Sequence, residues 1–237
     1  MTQRPARPPA VTDLTLILIV TSIAIGLARL APAAEPEIVA GAASVIDGDT
    51  ITIGENVVRL FDVDAPELAQ SCDGGPSRLR PCGVYVADAL AERVAGREVR
   101  CAVLKVDQYD RKVARCEIEG EILSQWLVAS GLAMVFRRYS DRFTEEEEAA
   151  RSAGTGLWQT DFEPPWRYRA RRWEVTVQQA PEGCPIKGNI NRDGERIYHT
   201  PWGSQWYDRT RISTGKGEQW FCSEREALDA GWRAPLR

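Results

Sequence analysis

Four short segments hold residue types that can do chemistry together: Asp47-Gly48-Asp49-Thr50, the run from Arg59 to Glu67 (RLFDVDAPE), Asp107-Gln108-Tyr109-Asp110-Arg111, and Ser130-Gly131-Leu132-Ala133. Carboxylates such as Asp49 and Asp64 are hard oxygen ligands of the kind calcium prefers, and two of them leave coordination positions for water and a phosphate oxygen. Arg59 and Arg111 supply planar, permanently charged donor forks that fit phosphate oxygens. Glu67 stands three residues beyond Asp64, after the Pro66 turn, where it can orient and activate a water beside such an ion. Each segment alone has an ordinary reading. Asp-Gly between apolar alternations is a common hairpin turn, and Tyr-Asp-Arg in a hairpin is common surface.

Jointly, the segments resemble the thermonuclease (micrococcal-nuclease-like) family. Val45-Ile46-Asp47-Gly48-Asp49-Thr50, Arg59 five residues before Asp64, the Pro66-Glu67 pair and Tyr109-x-Arg111 carry the resemblance. It spans residues 38 to 158 and closes near Gly156-Leu157-Trp158. It implies that Asp49 and Asp64 are calcium ligands, that the Ala65 carbonyl is a third, and that Asp47 stands close behind them. It further implies that Arg59, Glu67 and Arg111 are the catalytic side chains of a calcium-dependent nuclease acting on DNA or RNA. Ala65 stands where many relatives have threonine, a change that a backbone ligand survives. In Phe136-Arg137-Arg138-Tyr139 only one tyrosine stands where relatives often carry a pair, so Tyr109 and Tyr139 are the expected stacking platform for the substrate.

The elements that must position these residues follow from periodicity. Residues 38 to 63 alternate, are rich in β-branched side chains and break at Asp47-Gly48 and Gly54-Glu55-Asn56, which predicts three strands. Val84 to Val94 has helical spacing; Glu98 to Val106 and Lys112 to Ile118 form a further hairpin; Ile122 to Ser130 and Phe143 to Ser152 read as two more helices. Five strands with a helix between the third and fourth match the order of the OB-fold barrel, so the expected class is a β-barrel with about three helices, α+β overall. Residues 159 to 183, with Pro164-Pro165 and an arginine cluster at 167 to 172, read as a wrapping segment and linker to a small β-rich module over 184 to 237.

The 237 residues carry a formal net charge of -4, so phosphate binding has to come from a local positive site and not from the field of the whole molecule. The run Glu145 to Glu148 adds to that balance and reads as a solvated helix face. The single histidine, His199, stands in the tail module, which argues against a nuclease with a histidine general base or a histidine metal centre. Leu14 to Leu27 is an apolar run between arginines, followed by small residues near Ala33 and Ala34. That order predicts a secretory signal, with a membrane anchor through residues 14 to 28 as the alternative, and a periplasmic or secreted protein. In that setting six cysteines read as a disulfide set of formally open connectivity, and sequence neighbourhood favours Cys72 with Cys82, Cys101 with Cys116, and Cys184 with Cys222.

In the tail, Cys184, His199 and Cys222 are three potential zinc ligands, against which stands the disulfide reading. Asn189-x-Asn191-x-Asp193-Gly194 imitates the start of a calcium loop but has Thr200 where the closing glutamate belongs. The alternative for the whole chain is a barrel that grips nucleic acid or envelope material without cutting. Such a protein is expected to have lost an arginine, the glutamate or a metal aspartate, and none is missing here. No obligate protein partner is implied.

Overall fold

The computed structural model describes residues 35–73, 81–203 and 206–236. The predicted signal or anchor over residues 1–34 lies outside them. From residue 36 onward the chain forms one compact unit.

Strands β1 (Ile38–Val45), β2 (Thr50–Ile53) and β3 (Asn56–Leu60) form an antiparallel meander, and β5 (Glu98–Val106) and β6 (Lys112–Ile118) form a hairpin beside β1. A parallel pairing of β3 with β6 closes these five strands into a barrel. Closure follows from the pattern. Ile51, Ile53, Val58, Leu60, Val99, Cys101 and Cys116 all turn inward and are buried, so both flanks of the sheet need the same interior. Helix α1 (Cys82–Val94), between β3 and β5, plugs the barrel with Val86, Leu90 and Val94, which share one face at four-residue spacing. A two-residue strand β4 (Val63–Asp64) leaves the barrel after β3 and pairs with β8 (Met134–Val135), while β7 (Glu121–Ile122) extends β6 and leads into α2 (Leu123–Ala129). Helix α3 (Thr144–Ser152) packs on α2.

The Glu145 to Glu148 run departs from a solvated face at one position. Glu147 is buried, accepts the Val135 N–H at 2.7 Å and pairs with Arg137, because the backbone of β8 at the helix flank needs an acceptor there. The stretch read as wrapping segment and linker contains a fifteen-residue helix, α4 (Pro165–Gln179), with Pro165 at its first turn, where a missing N–H costs nothing.

Beyond α4, strands β9 (Ile186–Ile190), β10 (Arg196–His199) and β11 (Gln219–Phe221) form a three-stranded sheet in the order β10-β9-β11, followed by helix α5 (Glu224–Asp229). Its own small core is Ile186, Tyr198, Phe221, Ala227 and Trp232, against which Trp173 of α4 packs. Three disulfides join Cys72 to Cys82, Cys101 to Cys116 and Cys184 to Cys222. The third takes both sulfurs from the zinc set, and His199 hydrogen-bonds Asn189 instead. Asn191 caps the β9–β10 turn through the N–H groups of Asp193 and Glu195. Among the described residues no helix is long and apolar enough to cross a membrane.

Candidate active site

The site lies where β1, β2, β3 and β4 leave the barrel at one end. Across the β2–β3 hairpin Thr50 stands opposite Arg59, and the Leu60 N–H donates to the Asp49 carbonyl at 2.8 Å, so the strand pairing alone brings Arg59 beside Asp49. The Arg59 side chain then spans two carboxylates, with one terminal nitrogen 2.6 Å from Asp49 Oδ1 and the other 3.0 Å from Asp64 Oδ1. Asp49 is fixed from behind by the Ala65 N–H, 2.9 Å from Oδ2, and by the Thr50 hydroxyl. Asp47 accepts the Asp49 N–H at 3.1 Å. Gly48 makes this turn possible, since a Cβ there would stand 2.6 Å from the Ala65 Cβ and 2.8 Å from Val86 of α1.

Glu67 follows on the loop after β4. Its backbone is clamped from two sides. The Gln70 side-chain oxygen accepts the Glu67 N–H at 3.2 Å, and the Gln70 N–H donates to the Glu67 carbonyl at 2.7 Å. Gln70 is buried, and its amide nitrogen donates to the Glu163 carbonyl at 2.6 Å, which ties the Glu67 loop to the chain just ahead of α4.

Arg111 stands in the β5–β6 turn. Its Nε and one terminal nitrogen are both engaged by Asp107 Oδ2, at 2.9 and 2.8 Å, and it reaches none of the site carboxylates. It nevertheless lines the same groove as Arg59 and Glu67, a depression of 1420 Å³ between the barrel and the β9–β11 module. Tyr109 and Tyr139 line it too. The Tyr139 ring is half exposed, meets Phe136 edge-on at 5.1 Å and lies under the Lys105 ammonium at 4.6 Å. The Arg111 guanidinium lies over the Tyr109 ring at 5.1 Å. Each of the two tyrosine rings therefore carries a cation against its face.

A third arginine, absent from the sequence expectations, completes the cluster. Arg169 of α4 donates to Asp64 Oδ1 at 2.9 Å, to Asp64 Oδ2 at 2.8 Å and to Glu67 Oε1 at 2.7 Å. No local signal separates it from Arg167, Arg171 and Arg172, because it joins the site only through a contact 105 residues away in sequence from Asp64.

Four carboxylates thus face two guanidinium groups. Two of the carboxylates titrate high: burial, reinforced by Asp47 and opposed by Arg169, pushes Glu67 up to about 8, and burial with Asp49 pushes Asp47 up to about 6. Burial works against the charge of Arg59, yet Asp49, Asp64 and Asp47 hold its pKa above the ordinary arginine value. A site of oxygen donors that carries surplus negative charge in a partly buried cleft fits a hard divalent cation. Among the described residues no group of three or more His, Cys, Asp or Glu side chains forms a ready-made metal cluster. Two carboxylates with a backbone carbonyl do not require one.

Two family models and several curated proteins are similar to parts of this chain. Residues 57–160 match the family model described as staphylococcal nuclease homologue, and residues 175–234 match the model described as ArfC. The succinoglycan biosynthesis protein ExoI of Rhizobium meliloti (strain 1021) is 40% identical over 138 residues, which cover 56% of this chain and 70% of that protein. An uncharacterized endonuclease of Escherichia coli O157:H7 is 29% identical over 136 residues, covering 54% of this chain and 82% of the relative. A probable endonuclease, LCL3, of Saccharomyces cerevisiae (strain RM11-1a) is 34% identical over 128 residues, covering 48% and 45% respectively.

Proposed function

Because this chain belongs to the staphylococcal nuclease homologue family and is a phosphodiester hydrolase of the nuclease type, we propose that it cuts nucleic acid at the Arg59, Glu67 and Arg111 site with calcium as its cation. The observation that carries this reading is the double contact of Arg59 with Asp49 and Asp64 beside Glu67, at the end of a groove that also holds Arg111. Calcium bound by Asp49, Asp64 and the Ala65 carbonyl, with Asp47 behind, would polarise the phosphodiester.

The chain's own residues supply the rest. Glu67 in its ionised form accepts a proton from the attacking water, whose oxygen bonds to phosphorus as the P–O bond to the leaving strand breaks. Arg59 would turn its terminal nitrogens from the carboxylates to the phosphate oxygens, and Arg111, which lines the same groove, would add a second fork. Donors fixed in a half-buried cleft stabilise the charge that builds on five-coordinate phosphorus more than they stabilise the substrate. Tyr109 and Tyr139 would stack flanking bases.

We assign catalysis to residues 38 to 158, with 159 to 183 joining this domain to the module at 184 to 237. Three disulfides are those of an extracellular or periplasmic protein. Export would follow from residues 1–34 acting as a signal or anchor. The test is incubation of the purified protein with single-stranded DNA, duplex DNA and RNA, in calcium or in excess chelator. Cleavage in calcium alone supports the reading, and undiminished cleavage in chelator removes calcium from it.

A further inference from the structure

Arg169 stands in a stretch that neither family model covers, after residue 160 and before residue 175. Yet it makes three short contacts in the middle of the site, to both oxygens of Asp64 and to Glu67. The Asp64 side chain is wholly buried and that of Glu67 nearly so, at 14% exposure. Asp64 Oδ1 also accepts from Arg59, so three of the roughly four acceptor directions of this carboxylate are taken. A calcium ion needs the same oxygens at about 2.3–2.6 Å, and like charges so close together repel strongly in a cleft of low dielectric. The ion and the Arg169 fork therefore compete for Asp64.

The helix that carries Arg169 is set in place from several sides. Trp166 stacks on Phe136 of the barrel side at 6.3 Å, and Glu163, which Gln70 holds, pairs with Arg171. Arg172 donates to the Pro201 carbonyl and pairs with Asp208 of the following module. α4 therefore bridges the Glu67 loop and the β9–β11 module, and the arginine it delivers neutralises the carboxylates a cation would claim.

We propose that Arg169 is a cation-exchange latch: in the resting protein its guanidinium occupies the carboxylate oxygens of Asp64 and Glu67, and calcium activates the site by displacing it. This rests on the calcium reading above. The latch lowers apparent calcium affinity by the fraction of molecules in which it is open, so the calcium concentration that switches the nuclease on is written into α4 and not only into the ligands.

The test is calorimetric titration of the full, disulfide-bonded chain with calcium chloride alone, for the wild type, Arg169→Gln and Arg169→Lys. The latch predicts that Arg169→Gln binds calcium roughly tenfold more tightly or better. It predicts that Arg169→Lys, which keeps the charge but loses the two-pronged grip, falls between the two. In the wild type, calcium should also speed amide exchange in α4. Equal affinity in all three proteins would overturn the latch while leaving the calcium reading intact. So would a lysine variant that binds as the wild type does, which would reduce the effect to through-space charge. Calcium binding by none of them would overturn both readings. Should the glutamine variant not fold, the lysine variant and wild-type amide exchange decide the matter.

Discussion

A Cβ at Gly83 would lie 1.8 Å from the carbonyl oxygen of Glu67. The first turn of α1 is thus pressed directly against the backbone of the proposed water-activating residue, and the Cys72–Cys82 disulfide holds the two together. Alanine in a helix ordinarily stabilises by about 1 kcal/mol over glycine. Gly83→Ala should instead destabilise, by about 1–3 kcal/mol for an overpacked contact, and should lower turnover by displacing Glu67. Urea unfolding alongside calcium-supported cleavage checks this; a more stable variant of unchanged rate would refute it.

Asp64→Asn keeps the side chain's shape and removes one charge from a wholly buried carboxylate that two arginines share. Calcium-dependent cleavage should be abolished, and circular dichroism should still report a folded barrel. Cleavage retained in this variant would remove Asp64 from the cation's ligands.

Tyr139→Ala and Tyr109→Ala remove faces from the groove wall without touching the carboxylates. Each should weaken binding of a short single-stranded oligonucleotide by about 1–3 kcal/mol, the range for one stacked base; the rate of the bound complex should change little in Tyr139→Ala, whereas Tyr109→Ala also removes the ring under Arg111. A loss of rate with affinity preserved would assign these rings to the chemistry instead.

His199 gives the stability a pH dependence of known sign. Burial, helped by Lys187, pushes its pKa down to about 4 from an ordinary value near 6.5, and its Nδ1 finds no hydrogen-bond partner among the described residues. Between these values the unfolded chain takes up a proton that the native state refuses. Stability from this group is therefore full above 6.5 and is lost as pH falls toward 4, with a slope approaching ~1.4 kcal/mol per pH unit. His199→Gln should lose less stability than the wild type over that interval. Denaturant unfolding at pH 7, 5.5 and 4.5 measures it, and a constant difference between the two proteins would contradict it.

Much of this was legible in the sequence because it is local. The Asp47-Gly48-Asp49 turn, the strand carrying Arg59 and the Asp64-Ala65-Pro66-Glu67 exit lie within about twenty residues, where turn chemistry and period-two alternation set the geometry. What escaped depends on contacts far apart in the chain. Arg169 reaches Asp64 across 105 residues, and Gln70 reaches Glu163 across 93. Arginine and glutamine are surface residues by default, and only the docking of α4 turns these two inward. In the same way, four consecutive glutamates read alike until β8 offers the Val135 N–H to one of them. Pro165 did carry a helix-start signal, but the proline pair beside an arginine cluster reads equally as a linker.

The proposed role of Arg59, Glu67 and Arg111 is to act on the transition state and not merely to hold phosphate. Its most direct test is single-turnover cleavage of a short labelled oligonucleotide at saturating calcium, paired with equilibrium binding of the same oligonucleotide. Arg59→Lys, Arg111→Lys and Glu67→Gln should each cut roughly a hundredfold to a thousandfold more slowly, about 2.7–4 kcal/mol, while binding changes far less. Wild-type cleavage rates in all three variants at saturation would contradict the account.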